Sequence, residues 1–206
     1  MLYSLVIPVL DSIEIFIRQT QRLARLLERH DKWEAIFVDD GSSPPLWGSW
    51  KMGVEPPNLI RSHDFRPWTQ PKARNIGAMA ARGEWILFTD IDHILTNSVL
   101  DAAEEMSEEH PMIHFRRHYG ELDETGKLIN INPEELKPHM NTFVISKERF
   151  EALGGYDESF CGKYGGDDKD FLARYRKMFG EEGMLSPTPV FVYPPGVGKF
   201  HELERK

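Results

Sequence analysis

The sequence predicts one α/β domain with a mostly parallel central sheet flanked by helices. Three observations carry that expectation. The chain opens strand, helix, strand; apolar runs of strand length then alternate with helical periodicity to about residue 109; and acidic pairs follow the second and fourth predicted strands. Strands that alternate with helices build parallel sheets through right-handed crossovers, and such sheets bind ligands beyond the carboxyl ends of their strands. A length of 206 residues suits a single domain, expected over residues 1–206.

Residues 2–10 (LYSLVIPVL) form a continuous apolar run, the pattern of a strand buried on both faces. Asp11 or Ser12 can cap the helix that follows, where Ile13, Phe16, Ile17, Leu23, Ala24 and Leu27 recur at helical spacing. Residues 33–38 are the second strand and end at Asp39-Asp40-Gly41. Residues 42–57, rich in Pro, Gly and Trp, read as a loop, and 59–62 as a short third strand. Residues 71–82 are a helix whose Ala73, Gly77, Ala78, Ala80 and Ala81 permit close packing. The fourth strand, 85–89, runs into Asp90-Ile91-Asp92-His93, and 97–109 is a mostly solvated helix.

Beyond that the clean alternation ends. Residues 112–118 and 140–145 read as strands separated by a polar stretch with a hairpin-like Glu124-Thr125-Gly126-Lys127. Residues 147–153 and 168–179 read as helices around a Gly-rich loop. No element is assigned after Phe179, and the last 20 residues hold four prolines.

Composition narrows the function. Lys plus Arg number 25 against 33 Asp plus Glu, a net charge of −8, which argues against a general nucleic-acid binder needing a basic face. The lone Cys161 forbids an internal disulfide and any cysteine-cluster metal site. The apolar start lacks a basic flank and is broken by Pro8, so no signal peptide or membrane span is expected and a cytoplasmic location is the simplest reading.

The acidic pairs carry the chemistry. Asp39 and Asp40 follow one strand, Asp90 and Asp92 another, so a parallel sheet brings four carboxylates to one edge. Crowded carboxylates repel unless a cation joins them, and oxygen ligands favour magnesium, manganese or calcium. In extended backbone, Asp90 and Asp92 point the same way and can share one ligand. His93 reads either as a further ligand or as a helix-entry residue. His110, His114 and His118 would align on a helix, but their segment reads as strand. Asp157 and Glu158 read as residues that cap a turn or bind the acceptor rather than ligate metal, and Asp170 as a helix-start residue facing the dipole. The loop aromatics Trp47, Trp50, Phe65, Trp68 and Tyr164 could form a sugar platform or pack in the core.

These residues resemble family 2 nucleotide-sugar glycosyltransferases. The resemblance lies in Val6-Ile7-Pro8-Val9, Val38-Asp39-Asp40-Gly41-Ser42, Ala73-Arg74-Asn75-Ile76-Gly77-Ala78 and Asp90-Ile91-Asp92, in family order. Downstream, Phe143-Val144-Ile145-Ser146-Lys147 leading to Leu153-Gly154-Gly155-Tyr156-Asp157-Glu158 is similar to that family's acceptor-side segment, and Tyr164-Gly165-Gly166-Asp167-Asp168 resembles the Gly-Gly-Glu-Asp element of galactosyltransferase-like domains.

The resemblance implies a GT-A, Rossmann-like fold with a nucleotide-sugar-binding half at 1–95 and an acceptor half at 96–206. It implies transfer of a sugar, with inversion, from a UDP-sugar or another nucleotide-sugar donor to a carbohydrate or glycoconjugate hydroxyl. Asp40 would meet the base, Asp39 would support its loop, and Pro8 would begin the base-binding wall. Arg74 and Asn75 would serve the donor. Asp90 would contact ribose or metal, and Asp92, with His201 late in the chain, would ligate Mn2+ or Mg2+. Asp168, or Asp167 beside it, would be the general base. Arg74, Lys72 or Lys199 could add positive charge at the diphosphate. Two rivals follow from the same architecture. A sugar-nucleotide nucleotidyltransferase needs a Gly-rich basic loop after the first strand, and residues 10–14 hold neither Gly nor a basic residue. A non-catalytic nucleotide-sugar-binding module would bind donor and metal without turnover. Oligomeric state is left open.

Overall fold

The computed structural model describes residues 2–47, 58–123 and 125–194. Its spine is a nine-stranded mixed sheet. In chain order the elements are β1 (Tyr3–Val9), α1 (Ile13–Leu27), β2 (Trp33–Asp39), β3 (Leu59–Arg61), α2 (Gln70–Ala80), β4 (Trp85–Phe88), β5 (His93–Ile94), α3 (Asn97–Ser107) and β6 (Met112–Tyr119). There follow β7 (Glu121–Leu122), β8 (Leu128–Ile129), β9 (Glu135–Leu136), β10 (Phe143–Ser146), α4 (Lys147–Ala152), α5 (Asp167–Phe179) and β11 (Met184–Val192). The sheet order is β3-β2-β1-β4-β10-β6-β11-β5, with β9 added beside β6; β7 and β8 form a separate hairpin.

The first half is parallel, as predicted: β1 pairs in parallel with both β2 and β4, and β2 with β3. The second half is not. β10 runs antiparallel to both β4 and β6, and β11 lies parallel to β6 but antiparallel to β5. β11 is a correction to the sequence expectation, since its prolines speak against a strand. A register shift between Ser186 and Pro189 takes Pro187 and Thr188 out of the ladder, and pairing resumes at Pro189↔Arg116.

Alternation along β1 divides the core. Leu5, Ile7 and Val9 face the layer holding Phe16 and Leu23 of α1 and Val99 and Leu100 of α3. Val6 faces the other layer, with Ala73 and Ala78 of α2, Phe150 of α4, and Phe171 and Tyr175 of α5. Both faces are covered, which is why these strands read as unbroken apolar runs. The buried face of α1 departs from the apolar pattern. Gln19 is buried there because its Nε2 donates to Ile91 O (3.0 Å) and His93 O (2.8 Å), tying the helix to the loop after β4. None of the described helices is long and apolar enough to cross a membrane.

Gly77 sets how closely α2 approaches the sheet. A Cβ there would lie 2.3 Å from Val6 Cγ1 and 3.3 Å from Val38 Cγ2. Gly77→Ala is expected to destabilise by about 1–3 kcal/mol through overpacking and to lower the thermal midpoint by several degrees. An unchanged midpoint would show that α2 can lift without loss.

Candidate active site

The crevice opens where β1 and β4 separate. Their ladder stops at Val6↔Phe88, with Thr89 N donating to Val6 O (3.2 Å), so Pro8, which has no amide to give, lies past the last bond on that side. The chain winds from β1 outward to β2 and β3, then returns to β4 on β1's other flank, and this reversal leaves a cleft at the strands' carboxyl ends.

Asp39 and Asp40 divide their work. Asp39 is fully buried and holds the following loop, accepting from Ser42 N (2.8 Å) through Oδ1 and Leu46 N (3.1 Å) through Oδ2. Asp40 accepts from the Thr69 hydroxyl at 2.6 Å. Burial pushes its carboxyl up to about 6, against the pull of the Thr69 and Ser62 hydroxyls. Nearby Asp64 is chelated by Arg66 (Nε 3.0 Å, Nη2 2.7 Å) and by Lys72 Nζ (2.9 Å), and these cations hold it well below the usual carboxylate range. Lys72 is thereby committed to Asp64.

The two acidic motifs meet through Arg74. This α2 side chain is fully buried; Nη2 donates to Asp90 Oδ1 (2.8 Å) and Nη1 to Asp168 Oδ1 (2.8 Å) and Tyr156 Oη (3.2 Å). Asp90 accepts further bonds from Gln70 Nε2 (2.8 Å) on Oδ1 and Asn141 Nδ2 (3.0 Å) on Oδ2, with His139 Nδ1 at 3.7 Å. Burial raises the Asp168 carboxyl to about 6 despite Arg74, with Asp167 and Asp90 adding to the rise. Asp167, the first residue of α5, is buried.

Asp92 is the less committed carboxylate of its pair: among the described residues, only its own backbone amide bonds it. Its ligand atoms, with those of Asp90 and His93, lie within 4.8 Å of one another. His93 is buried, with Nδ1 2.8 Å from the Thr142 hydroxyl, and burial lowers its pKa to about 4, so the ring is neutral with Nε2 not engaged by Thr142. Asn141 Oδ1 is buried with no donor among the described residues. Two carboxylates and a neutral imidazole form a donor set that fits a hard divalent cation. His201 and Lys199 lie outside the described residues.

Asn75 acts as a clamp. Its Oδ1 accepts from Tyr156 N (2.8 Å), while Nδ2 donates to Tyr156 O (2.9 Å) and Glu158 Oε1 (3.0 Å), so α2 holds the loop after α4. Gly155 is required beside it, with φ +71 and space for a Cβ only 2.6 Å from Asn75 Oδ1. Asp157 caps a single 3₁₀ turn (Glu158–Phe160), and Asp170 pairs with Arg174 one turn on, as their turn and helix-start readings expect. At the mouth, the rings of Trp68 and Tyr164 lie 4.1 Å apart, Tyr164 being largely exposed. His114 and His118 sit in β6, as the strand reading expects.

With this geometry in place, sequence comparison decides the family. The model of glycosyl transferase family 2 matches residues 4–163, most of the chain. The chain belongs to that family. A second model, described as the N-terminal domain of galactosyltransferase, matches residues 140–203. Similar proteins include an "Uncharacterized glycosyltransferase" of Rickettsia bellii, 26% identical over 126 residues, and one of Haemophilus influenzae, 24% identical over 157 residues. These matches cover 61% and 69% of this chain but 18% and 51% of those proteins, so the chain spans about a fifth and about half of their lengths.

Solved structures with the same fold include S. aureus TarS 1–349 (TM-score 0.66, 18% identity, covering 94% of this chain and 60% of that one) and its complex with UDP (0.63, 17%, 94% and 61%). The catalytic domain of Drosophila β1,4-galactosyltransferase 7 in complex with xylobiose aligns with TM-score 0.58 and 14% identity, over 90% of this chain and 66% of that one. The fold of this family 2 chain is GT-A.

Some residues of the family 2 crevice carry no local sequence signal of their own. Gln70 and Asn141 come from two separate segments and converge on Asp90 only through tertiary contacts. Asp64 is different: Ser62-x-Asp64 follows β3 much as Asp40 follows β2 and Asp90 follows β4, so the acid-after-strand pattern could have found it.

Proposed function

We propose that the chain is a metal-dependent, inverting glycosyltransferase that moves a sugar from a nucleotide-diphosphate donor, a UDP-sugar, to a carbohydrate hydroxyl. The observation that carries this reading is one crevice in which the Asp90/Asp92 pair and Asp168 face each other across Arg74. Asp40, near the carboxyl ends of β1 and β2, offers acceptor atoms to a nucleobase, and Asp39 keeps its loop in place. Asp92, with Asp90 and His93, would hold the cation, whose role when bound is to neutralise the diphosphate as it departs. Asp168 Oδ1 is engaged by Arg74, leaving Oδ2 to take the acceptor proton. As that proton moves, the hydroxyl oxygen bonds the anomeric carbon and the bond to the diphosphate breaks; a single displacement inverts that centre. The Trp68–Tyr164 pair supplies an aromatic face for the acceptor sugar.

The UDP-bound TarS structure supports the choice of nucleotide by likeness of fold. A thermal-shift panel of UDP-, GDP- and dTDP-sugars, each with and without Mn2+, tests it. One UDP-sugar is expected to raise the midpoint only when Mn2+ is present; at a hundredfold excess over Kd the gain is about 2.7 kcal/mol. No shift with any donor, in folded protein, would overturn the reading. A shift with no release of UDP under any acceptor would instead favour a binding module.

A further inference from the structure

Arg74 divides its donors between carboxylates from two different segments. Nη2 holds Asp90 Oδ1 and Nη1 holds Asp168 Oδ1, each at 2.8 Å. The guanidinium lies over the Tyr156 ring, 5.1 Å from its centroid, and that ring stacks on Phe171 of α5 at 4.5 Å. Asn75, next along α2, grips the Tyr156 backbone from both sides. The start of α5, the end of β4 and the loop after α4 therefore converge on one fully buried side chain. A guanidinium so engaged cannot reach a diphosphate without releasing a carboxylate.

We propose that Arg74 is a positioning residue: it pins Asp168 through Oδ1, fixes Oδ2 as the proton-accepting atom, and joins the base rigidly to the donor-side Asp90. This rests on the reading of Asp168 as base. The planar fork matters, because an ammonium is a single point of charge and cannot hold two separated carboxylates in one plane. Among the described residues, the groups that face Asp168 are Arg74 from α2, Asp90 beyond β4, Tyr156 from the loop after α4, and Asp167 from α5 itself.

The test is a double-mutant cycle of Arg74→Lys and Asp168→Asn, read as Mn2+-dependent UDP release from whichever of UDP-glucose, UDP-galactose and UDP-N-acetylglucosamine turns over. Arg74→Lys is expected to lower kcat about 10- to 100-fold, the effect of roughly 1 Å of misplacement, with KM nearly unchanged. In the Asp168→Asn background it should cost little more. A wild-type kcat in Arg74→Lys, or losses that simply multiply in the double variant, would overturn the proposal. A second measurement needs no substrate: the Asp168 carboxyl is titrated by carbon-13 NMR, its resonance assigned by its loss in Asp168→Asn. Removing the opposite charge with Arg74→Gln should raise its titration by about one pH unit or more, and Arg74→Lys by less. An unchanged titration in folded Arg74→Lys and Arg74→Gln would show that no bridge exists in solution. If Asp168→Asn alone kept full activity, the base assignment would fall while the titration still reported on the bridge.

Discussion

Asp168→Asn is expected to slow sugar transfer by about 10²–10⁴-fold, the usual worth of a positioned base, and to leave donor binding nearly intact. The substitution preserves shape, and the amide oxygen can still accept from Arg74 Nη1, so the joint between α2 and α5 survives. What is lost is the proton-accepting Oδ2. The pH dependence separates this role from a structural one. Burial lifts the Asp168 carboxyl to about 6, Arg74 pulls it back, and Asp167 and Asp90 push it up again. The active form is the ionised one. The wild-type rate should therefore be level above about pH 6 and fall tenfold per unit below it, as the carboxylate takes up its proton. At saturating donor and Mn2+, which keep Asp40 and Asp92 engaged, that acid limb should vanish in Asp168→Asn from whatever rate remains. A variant that transfers sugar at the wild-type rate would exclude Asp168 as the base and turn attention to buried Asp167, one residue earlier in the same helical turn.

The parallel half of the fold was legible because its physics is local. β1, β2 and β4 are covered on both faces, so each shows as an apolar run, and β2 and β4 run into acids at their carboxyl ends. The carboxylates at those ends could be placed on one edge from the crossover rule alone. The antiparallel half was less legible. β11 is held in the sheet by β6 and β5 on either side, and the register shift that accommodates its prolines depends on partners far along the chain. The site shows the same division. The acids were visible, but their inequality was not. Asp39 holds a loop while Asp40 faces the Thr69 hydroxyl, and Asp90 is engaged by Arg74, Gln70 and Asn141 while Asp92 is left to its own amide. Adjacent or near-adjacent residues of one type acquire different roles through side chains that arrive from α2 and from the segment before β10, and no spacing rule encodes that.

That inequality makes Asp92→Ala the sharper test of the cation. Replacing Asp90 would release Arg74 and disturb the base as well, whereas no described side chain hydrogen-bonds the Asp92 carboxylate, so its loss removes a ligand and breaks no such bond. Mn2+ affinity in the presence of UDP should fall by more than the roughly 10–100-fold expected for losing an outer-sphere partner, and Mn2+ should no longer raise the thermal midpoint. The metal-free protein should behave oppositely. Burial, and then the charge of Asp90, raise the Asp92 carboxyl to about 6 from an ordinary value near 4. The folded state thus binds that proton more tightly than the unfolded state, and the stability this brings is present at low pH and lost as pH rises through about 6. At pH 8 the ionised Asp92 weighs against the empty fold, so Asp92→Ala should melt no lower than wild type there. Reduced metal affinity at undiminished stability is a pair of results that a merely damaged fold cannot give. If Mn2+ instead protected Asp92→Ala as well as wild type, the cation would have to be held elsewhere.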